Sequence, residues 1–390
     1  MNPLVTITAR GAGRIAAGHP WVYRSDVFDA RAAAPGDVVR LADKQGRFHG
    51  LAHYSTTSEI AVRLLSTRQR AIDRGFYREL IERARGYRAR VVKDSDAYRL
   101  VFSEADGLPA LIVDRYANWL AIQTLNQGMD RAQPEIVEVL REIFPDCGIY
   151  ERNEASVRKL EKLALRSGVL AGEGEPKTEI EFNGLRFAID LAAGQKTGFF
   201  LDQRENYRAA AMYARGRALD CFSYAGGFAL HLARSCETVD AVDSSAAALE
   251  AAAANAARNG ITNVHFFDSD AFDLLKRYDD QHRSFDTIVL DPPAFARSRA
   301  QVEGGLRGYK EINLRAMKML EPGGTLITCS CSHHIGEADF LEAIAAASLD
   351  AKRRITVIER RTQAADHPIL LTAPETLYLK CLILRVDRWS

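Results

Sequence analysis

The sequence predicts a multidomain protein: a small β-barrel-like module, an α+β middle part, and an α/β domain built on a mostly parallel sheet. Three observations carry this. At 390 residues and 47% hydrophobic content, the chain is too long for one ordinary compact domain but normal in composition for a globular one. Up to about residue 70, short alternating runs are broken by Gly and Pro turns. From about Glu179 onward, strands alternate with helices, the pattern of a parallel sheet with crossover helices on both faces.

Taken in order, the runs "PGDVVRLADKQGRFHGLAHY" and "SEIAVRLLS" read as strands of the first module. The second part opens with an arginine-rich helix, "RQRAIDRGFYRELIERARGYRAR" (Arg68 to Arg90), and continues with strands in "YRLVFSEADGLPALIVDRYANWLAIQTL". The helix "PEIVEVLREIF" and the strand "GIYERN" follow. "GEGEP" (Gly172 to Pro176) is polar and aperiodic, so it marks either a boundary or a long hairpin turn.

Five strands are expected in the third part: "RALDCFS" (Arg217 to Ser223), "TVDAVD" (Thr238 to Asp243), "NVHFFDSD" (Asn263 to Asp270), "FDTIVLD" (Phe285 to Asp291) and "GTLITCS" (Gly324 to Ser330). Between the second and third lies "SSAAALEAAAANAARNG", where Ser244 or Ser245 caps a helix, alanines propagate it and Gly260 ends it. A helix, "ADFLEAIAAASLD", precedes two further strands, "RITVIERR" and "LYLKCLILRV", expected as an antiparallel pair at the sheet edge. That makes seven strands in all.

Composition excludes several classes. No run approaches the roughly 18 apolar residues of a membrane helix, and "MNPLVTITAR" lacks the apolar core of a secretion signal, so a cytoplasmic protein is expected. The cysteines Cys147, Cys221, Cys236, Cys329, Cys331 and Cys381 are too few and scattered for a disulfide scaffold. Cys329 and Cys331, followed by His333 and His334, lack the second ligand pair of a zinc motif; no metal is expected.

The formal net charge of +1 is unevenly spread: the first 90 residues hold 16 Lys and Arg against 8 Asp and Glu, which leaves −7 for the rest. Such a concentration suits a polyanionic partner such as nucleic acid, although for Arg68 to Arg90 a solvated face with Asp73, Glu79 and Glu82 as partners explains it equally.

Ligands of open parallel sheets sit beyond the carboxyl ends of the strands, and four of those ends carry aspartate. Asp220 leads into "DCFSYAGGF", whose Gly226 and Gly227 allow close backbone approach; Asp243 follows 23 residues later, about the spacing of a ribose-binding carboxylate. Asp270 follows the third strand and Asp291 opens "DPPAF". With no Gly-x-Gly-x-x-Gly, the pattern points to a cofactor with ribose and adenine but no pyrophosphate, which S-adenosylmethionine fits.

The segments "GHPWVYRSDV", "SEADGLPALIVDRY", "TGFFLDQRENYR", "DCFSYAGGF", "DPPAFARS", "YKEINLRAMKMLEPGG", "TCSCS" and "ADHP" together span nearly the whole chain. In them the sequence resembles the bacterial large-subunit (23S) ribosomal RNA cytosine-C5 methyltransferases with an N-terminal PUA module, a branch of the class I S-adenosylmethionine-dependent methyltransferases. The resemblance implies a PUA-like RNA-binding domain at 1–72, an α+β domain at 73–178 and a Rossmann-like methyltransferase domain with a seven-stranded sheet at 179–390. It implies that Asp220, Phe222, Tyr224 and Gly226 line the methionine part of S-adenosylmethionine, that Asp243 binds its ribose and that Asp270 lies near its adenine. Gly227 and Asp291 complete the expected cofactor set, and large-subunit ribosomal RNA is the implied substrate. A homodimer is left open.

Carbon 5 of cytosine is a weak nucleophile until a thiolate adds to carbon 6. "TCSCS" offers two thiols, and Cys331, further beyond the strand and matching the family's cysteine, is favoured over Cys329, which suits a buried strand. Asp291 is expected to hold the N3/N4 edge of the base and to assist its protonation. Pro292, Pro293, Phe295 and Arg297, with Arg299, are expected at the substrate strand, or else as a basic loop. His19, Trp21 and Tyr23 read as a stacking platform or as module core. The rival readings are a uracil-C5 methyltransferase, an amino-group N-methyltransferase that needs no cysteine, and a non-catalytic RNA-binding assembly factor.

Overall fold

The alternating runs before Ser66 pair as a six-stranded sheet in the order Trp21–Tyr23, Ile60–Ser66, Phe48–Tyr54, Val38–Asp43, Leu4–Ile7, Val27–Asp29. The two edge strands are joined by a single 3-10 turn at Arg24–Asp26, so the edges of the sheet are neighbours in the chain. Val5, Ile7, Val39, Leu41, Ala52 and Val62 fill its interior.

A five-stranded sheet follows, ordered Arg166–Ala171, Gly148–Asn153, Trp119–Thr124, Leu111–Tyr116, Ala97–Phe102, with the helices Arg74–Val91 and Gln127–Ile143 sharing its core. The second helix starts seven residues before the "PEIVEVLREIF" segment, because Asn126 caps it by accepting from the Met129 amide and Pro134 is carried inside it. The arginine-rich helix is held by carboxylates rather than left as a bare cationic face. Arg70 pairs with Glu79, Arg74 and Arg78 share Glu142, and Arg88 is fully buried on Asp106.

The structure, a computed structural model, describes residues 2–194 and 197–389. By contacts the chain forms two units: Met1–Phe182 with Ile189–Leu201 and Ala365–Thr376, and Asn183–Ala188 with Asp202–Ala364 and Leu377–Ser390. The short return to the first unit is well anchored there. The Asp366 carbonyl accepts from Arg88 Nη2 at 2.7 Å, and its Oδ2 accepts the Arg99 amide at 2.8 Å.

In the second unit the strands are β1 (Arg217–Cys221), β2 (Thr238–Asp243), β3 (Val264–Asp268), β4 (Phe285–Leu290), β5 (Leu320–Ser330), β6 (Arg353–Arg361) and β7 (Lys380–Arg388). They form one sheet in the order β3-β2-β1-β4-β5-β7-β6. The first five are mutually parallel; β7 runs antiparallel to both β5 and β6. The helices are α1 (Arg204–Tyr213), α2 (Gly227–Leu232), α3 (Ala246–Arg258), α4 (Ala271–Asp280), α5 (Val302–Met319) and α6 (Glu337–Asp350). Ser245 caps the alanine-rich α3, and Gly260 follows it at φ +66°.

Three strand ends fall earlier than the sequence suggests, and β4 closes at Leu290, one residue short of Asp291. β1 stops at Cys221 because Phe222 turns to φ +67°, and β3 stops at Asp268 because Asp270 is needed as the cap of α4. Among the described residues no helix is long and apolar enough to cross a membrane, and no group of three or more His, Cys, Asp or Glu is arranged to hold a metal ion.

Candidate active site

The strand order reverses at β1, with β2 on one side and β4 on the other, which opens a crevice at the carboxyl ends of β1 and β4. The turn leaving β1 is unusual. Phe222 and Tyr224 adopt φ +67° and +48°, and Gly226 follows at +86°. Left-handed backbone at non-glycine residues costs on the order of 1–3 kcal/mol each and persists only where neighbours impose it. Here Asp243 does so from the end of β2, accepting the Tyr224 amide at 2.8 Å and the Ser245 amide at 2.9 Å. Gly227 does not face open space; a Cβ there would lie 2.4 Å from the Tyr207 hydroxyl, so the missing side chain is what lets α1 pack beneath the turn.

Asp220 is fully buried in β1, with Oδ2 accepting the Ala229 amide of α2 at 2.9 Å. Burial, helped by the nearby charges of Asp291 and Asp243, pushes its carboxyl up to about 8. Asp270 is exposed and spends its Oδ1 on the Phe272 and Asp273 amides at 2.8 and 3.2 Å. Of the four strand-end aspartates, Asp220 and Asp243 frame the left-handed turn, Asp291 lies beside β1, and Asp270 caps the next helix.

Asp291 emerges from β4 with its amide 3.4 Å from the Cys221 carbonyl. Its Oδ2 accepts from Gln203 Nε2 at 3.0 Å, and Gln203 Oε1 in turn accepts from Asn206 Nδ2 at 2.6 Å. Both amides are buried. The carboxylate is thus oriented by two side chains from the start of α1.

The two cysteines of β5 have separate environments. Cys329 is fully buried, opposite Cys381 on β7, and burial first, then the hydrogen bond with Cys381, hold its thiol well above the usual range. Cys331 lies one residue past the strand, half-buried, its Sγ donating to the Pro292 carbonyl at 3.7 Å. Nucleophile candidate and aspartate therefore share one end of the β4/β5 pair.

Pro292 is buried and Pro293 exposed. Phe295 is not a free stacking ring. It packs against Tyr309, Phe272 and Phe222 at centroid distances of 4.7, 5.7 and 6.5 Å. Ser332 ties this loop to the turn after β5 by accepting the Ala296 amide at 3.2 Å and bonding the Tyr309 hydroxyl at 3.0 Å. Arg297 and Arg299 remain exposed. In the first unit, Trp21 donates to Glu104 at 2.8 Å, with Arg63 on the same carboxylate and His19 against its ring edge, so that aromatic cluster is internally engaged.

Sequence reasoning assigned no role to Gln203, Asn206 or Lys380. Lys380 had a signal: a lysine inside the apolar strand "LYLKCLILRV" is out of place unless its charge is used. Gln203 and Asn206 lie in "TGFFLDQRENYR", a segment that carries the family resemblance but by itself assigns neither amide a role.

The sequence matches a PUA-like domain family over residues 5–67 and the S-adenosylmethionine-dependent methyltransferase family over residues 104–384. It is 42% identical to the ribosomal RNA large subunit methyltransferase I of Shewanella denitrificans and 43% to that of Shewanella amazonensis, each over 94% of this chain and 95% of the relative. The protein of the same name from Erwinia tasmaniensis is 40% identical over the same shares. A SAM-dependent methyltransferase structure from Streptococcus mutans has the same fold (TM-score 0.84, 21% identity, 98% of this chain and 100% of that one). So does a methyltransferase structure solved as a complex with SAH, at TM-score 0.85 and the same identity and coverage.

Proposed function

Because this chain belongs to the S-adenosylmethionine-dependent methyltransferase family, we propose that it methylates carbon 5 of a cytosine in large-subunit ribosomal RNA, with Cys331 as transient covalent nucleophile. The division into 1–72, 73–178 and 179–390, with a PUA-like RNA-binding part first, belongs to the same reading. Its sheet order, β3-β2-β1-β4-β5-β7-β6, is read as the Rossmann-like class I arrangement.

The crevice fits the cofactor. Each Asp243 oxygen receives one amide, so the carboxylate keeps lone pairs for ribose hydroxyls, and Asp220, its carboxyl pushed up by burial, lies behind the turn. Phe222, Tyr224 and Gly226 would hold the methionine portion, and Asp270, at the mouth of α4, would border the adenine. Bound there, S-adenosylmethionine supplies an electrophilic methyl group.

The chain's own residues do the rest. Cys331 Sγ adds to carbon 6, forming an S–C bond and pushing the ring's electron pair toward N3. Asp291, held by Gln203, binds the N3/N4 edge and assists protonation there. Carbon 5, now enamine-like, takes the methyl group; loss of its proton to solvent, return of the N3 proton to Asp291 and cleavage of the S–C bond with expulsion of the Cys331 thiolate restore the aromatic ring. The base must leave its stack to expose carbon 6, and exposed Arg297 and Pro293 at the crevice suit contacts to the substrate strand.

The observation that carries this reading is the half-buried Cys331 thiol 3.7 Å from the carbonyl of the residue after Asp291. The test is transfer from methyl-labelled S-adenosylmethionine to unmodified ribosomal RNA, followed by nucleoside digestion, for wild type, Cys331→Ser and Cys329→Ser. Label in 5-methylcytidine, lost only with Cys331→Ser, is expected. Label in a methylated uridine or an N-methylated base overturns the reading.

A further inference from the structure

Lys380 opens β7 directly opposite Ser330 of β5, and only 7% of it is exposed. Its ammonium has three protons and spends all of them on neutral acceptors: the carbonyls of Ser332 at 2.8 Å, Ile335 at 2.9 Å and Tyr378 at 3.1 Å. Among the described residues no carboxylate lies within ion-pairing distance of Nζ. A charge held out of water without a counterion is disfavoured, and burial lowers this lysine to about 8. Three oriented carbonyls keep it protonated but do not neutralise it.

Two of those carbonyls belong to the turn that begins immediately after Cys331. We propose that Lys380 is a positioning residue for Cys331: it fixes the Ser332–Ile335 turn that presents the thiol, and its ammonium is the counter-charge that favours the thiolate. The inference deepens the reading of Cys331 as nucleophile and rests on it. The thiol proton leaves to solvent before attack, and Lys380 stays protonated throughout, so the sulfur's lone pair is free for carbon 6 while the ammonium gains the anion it lacks.

Other titratable groups border the thiol, its turn or Lys380. Asp291 beyond β4 and Glu337 at the start of α6 are acidic, and the Pro292 carbonyl accepts from the neutral thiol. Tyr309 of α5 is bound to Ser332, and burial raises its hydroxyl above the ordinary range. His333 and His334 are exposed on the same turn.

The experiment is the pH profile of Cys331 alkylation by iodoacetamide, read by mass spectrometry of its peptide, in wild type, Lys380→Met and Lys380→Arg, with cofactor binding as the check on folding. The midpoint is expected to rise by about one pH unit, roughly a tenfold loss of thiolate at neutral pH, in Lys380→Met. Lys380→Arg, which keeps the charge, is expected to stay closer to wild type. An unchanged midpoint in a folded Lys380→Met overturns the proposal. If that variant does not fold, the reciprocal measurement decides: the Lys380 amine, followed by NMR of its ε-carbon, should titrate lower in Cys331→Ser than in wild type, and equal values overturn the proposal. Neither readout depends on which base is methylated, so a failure here is distinct from a failure of the functional reading.

Discussion

Gln203 Nε2 donates to Asp291 Oδ2 over 3.0 Å, and because Asn206 occupies the other end of the same amide, Gln203 has its oxygen and nitrogen assigned by their partners. The Asp291 carboxylate is therefore aimed before any substrate arrives.

Gln203→Leu removes this aim while leaving the carboxylate in place. A hydrogen bond to a charged group contributes about 1.5–3 kcal/mol, so single-turnover methyl transfer should slow by about 10- to 100-fold. Cofactor affinity, measured calorimetrically, should change far less. An equal loss in both would make Gln203 a general packing residue.

The two β5 cysteines should separate cleanly. Cys331→Ser is expected to lower methyl transfer by on the order of 10³-fold or more, since a serine hydroxyl does not replace a thiolate in addition to carbon 6. Cys329→Ser puts a hydroxyl where no water reaches and should cost about 1–3 kcal/mol in urea unfolding with turnover retained.

Glycines of similar appearance should differ sharply. Gly227→Ala drives a methyl group to 2.4 Å from the Tyr207 hydroxyl and 2.5 Å from its Cζ, an overpacking worth about 1–3 kcal/mol. It should weaken cofactor binding too, because the turn above must shift. Gly260→Ala, at φ +66° with nothing within 4 Å of the added carbon, should cost only about 1–2 kcal/mol in backbone strain and leave binding intact.

Asp220 makes stability depend on pH in an unusual direction. Its carboxyl is raised from 3.8 to about 8, first by burial, so the folded state holds a proton that the unfolded state releases. That contribution is fully present below the unfolded value and is lost as pH rises toward 8. Asp220→Asn, which mimics the protonated acid and keeps an acceptor for the Ala229 amide, should gain on wild type by about 1–3 kcal/mol between pH 5.5 and 8 in denaturant titrations. A constant difference across that range would mean Asp220 is ionised when folded.

Much of the second unit was legible in the sequence because its signals are local. Alternation, alanine content and a serine cap identify α3 and the strands around it, and the acidic strand ends mark the crevice. What escaped is tertiary. Nothing local tells Asp270, which caps a helix, from Asp243, which restrains a strained turn. The twin prolines advertise a loop, but not that Phe295 folds back onto Tyr309. Gln203 and Lys380 stand out only when the fold brings them to the Asp291 carboxylate and the Ser332 carbonyl, 88 and 48 positions away in the chain.

The return of Ala365–Thr376 to the first unit also sets an order of assembly during translation. Arg88 is fully buried and donates to the carbonyl of Asp366, 278 positions downstream. At synthesis rates of about 5–20 residues per second, the ribosome needs on the order of tens of seconds to deliver that acceptor. Until then the amino-terminal unit is a nascent structure with a guanidinium proton still looking for its partner, and the catalytic unit must be largely synthesised before the first unit can finish folding.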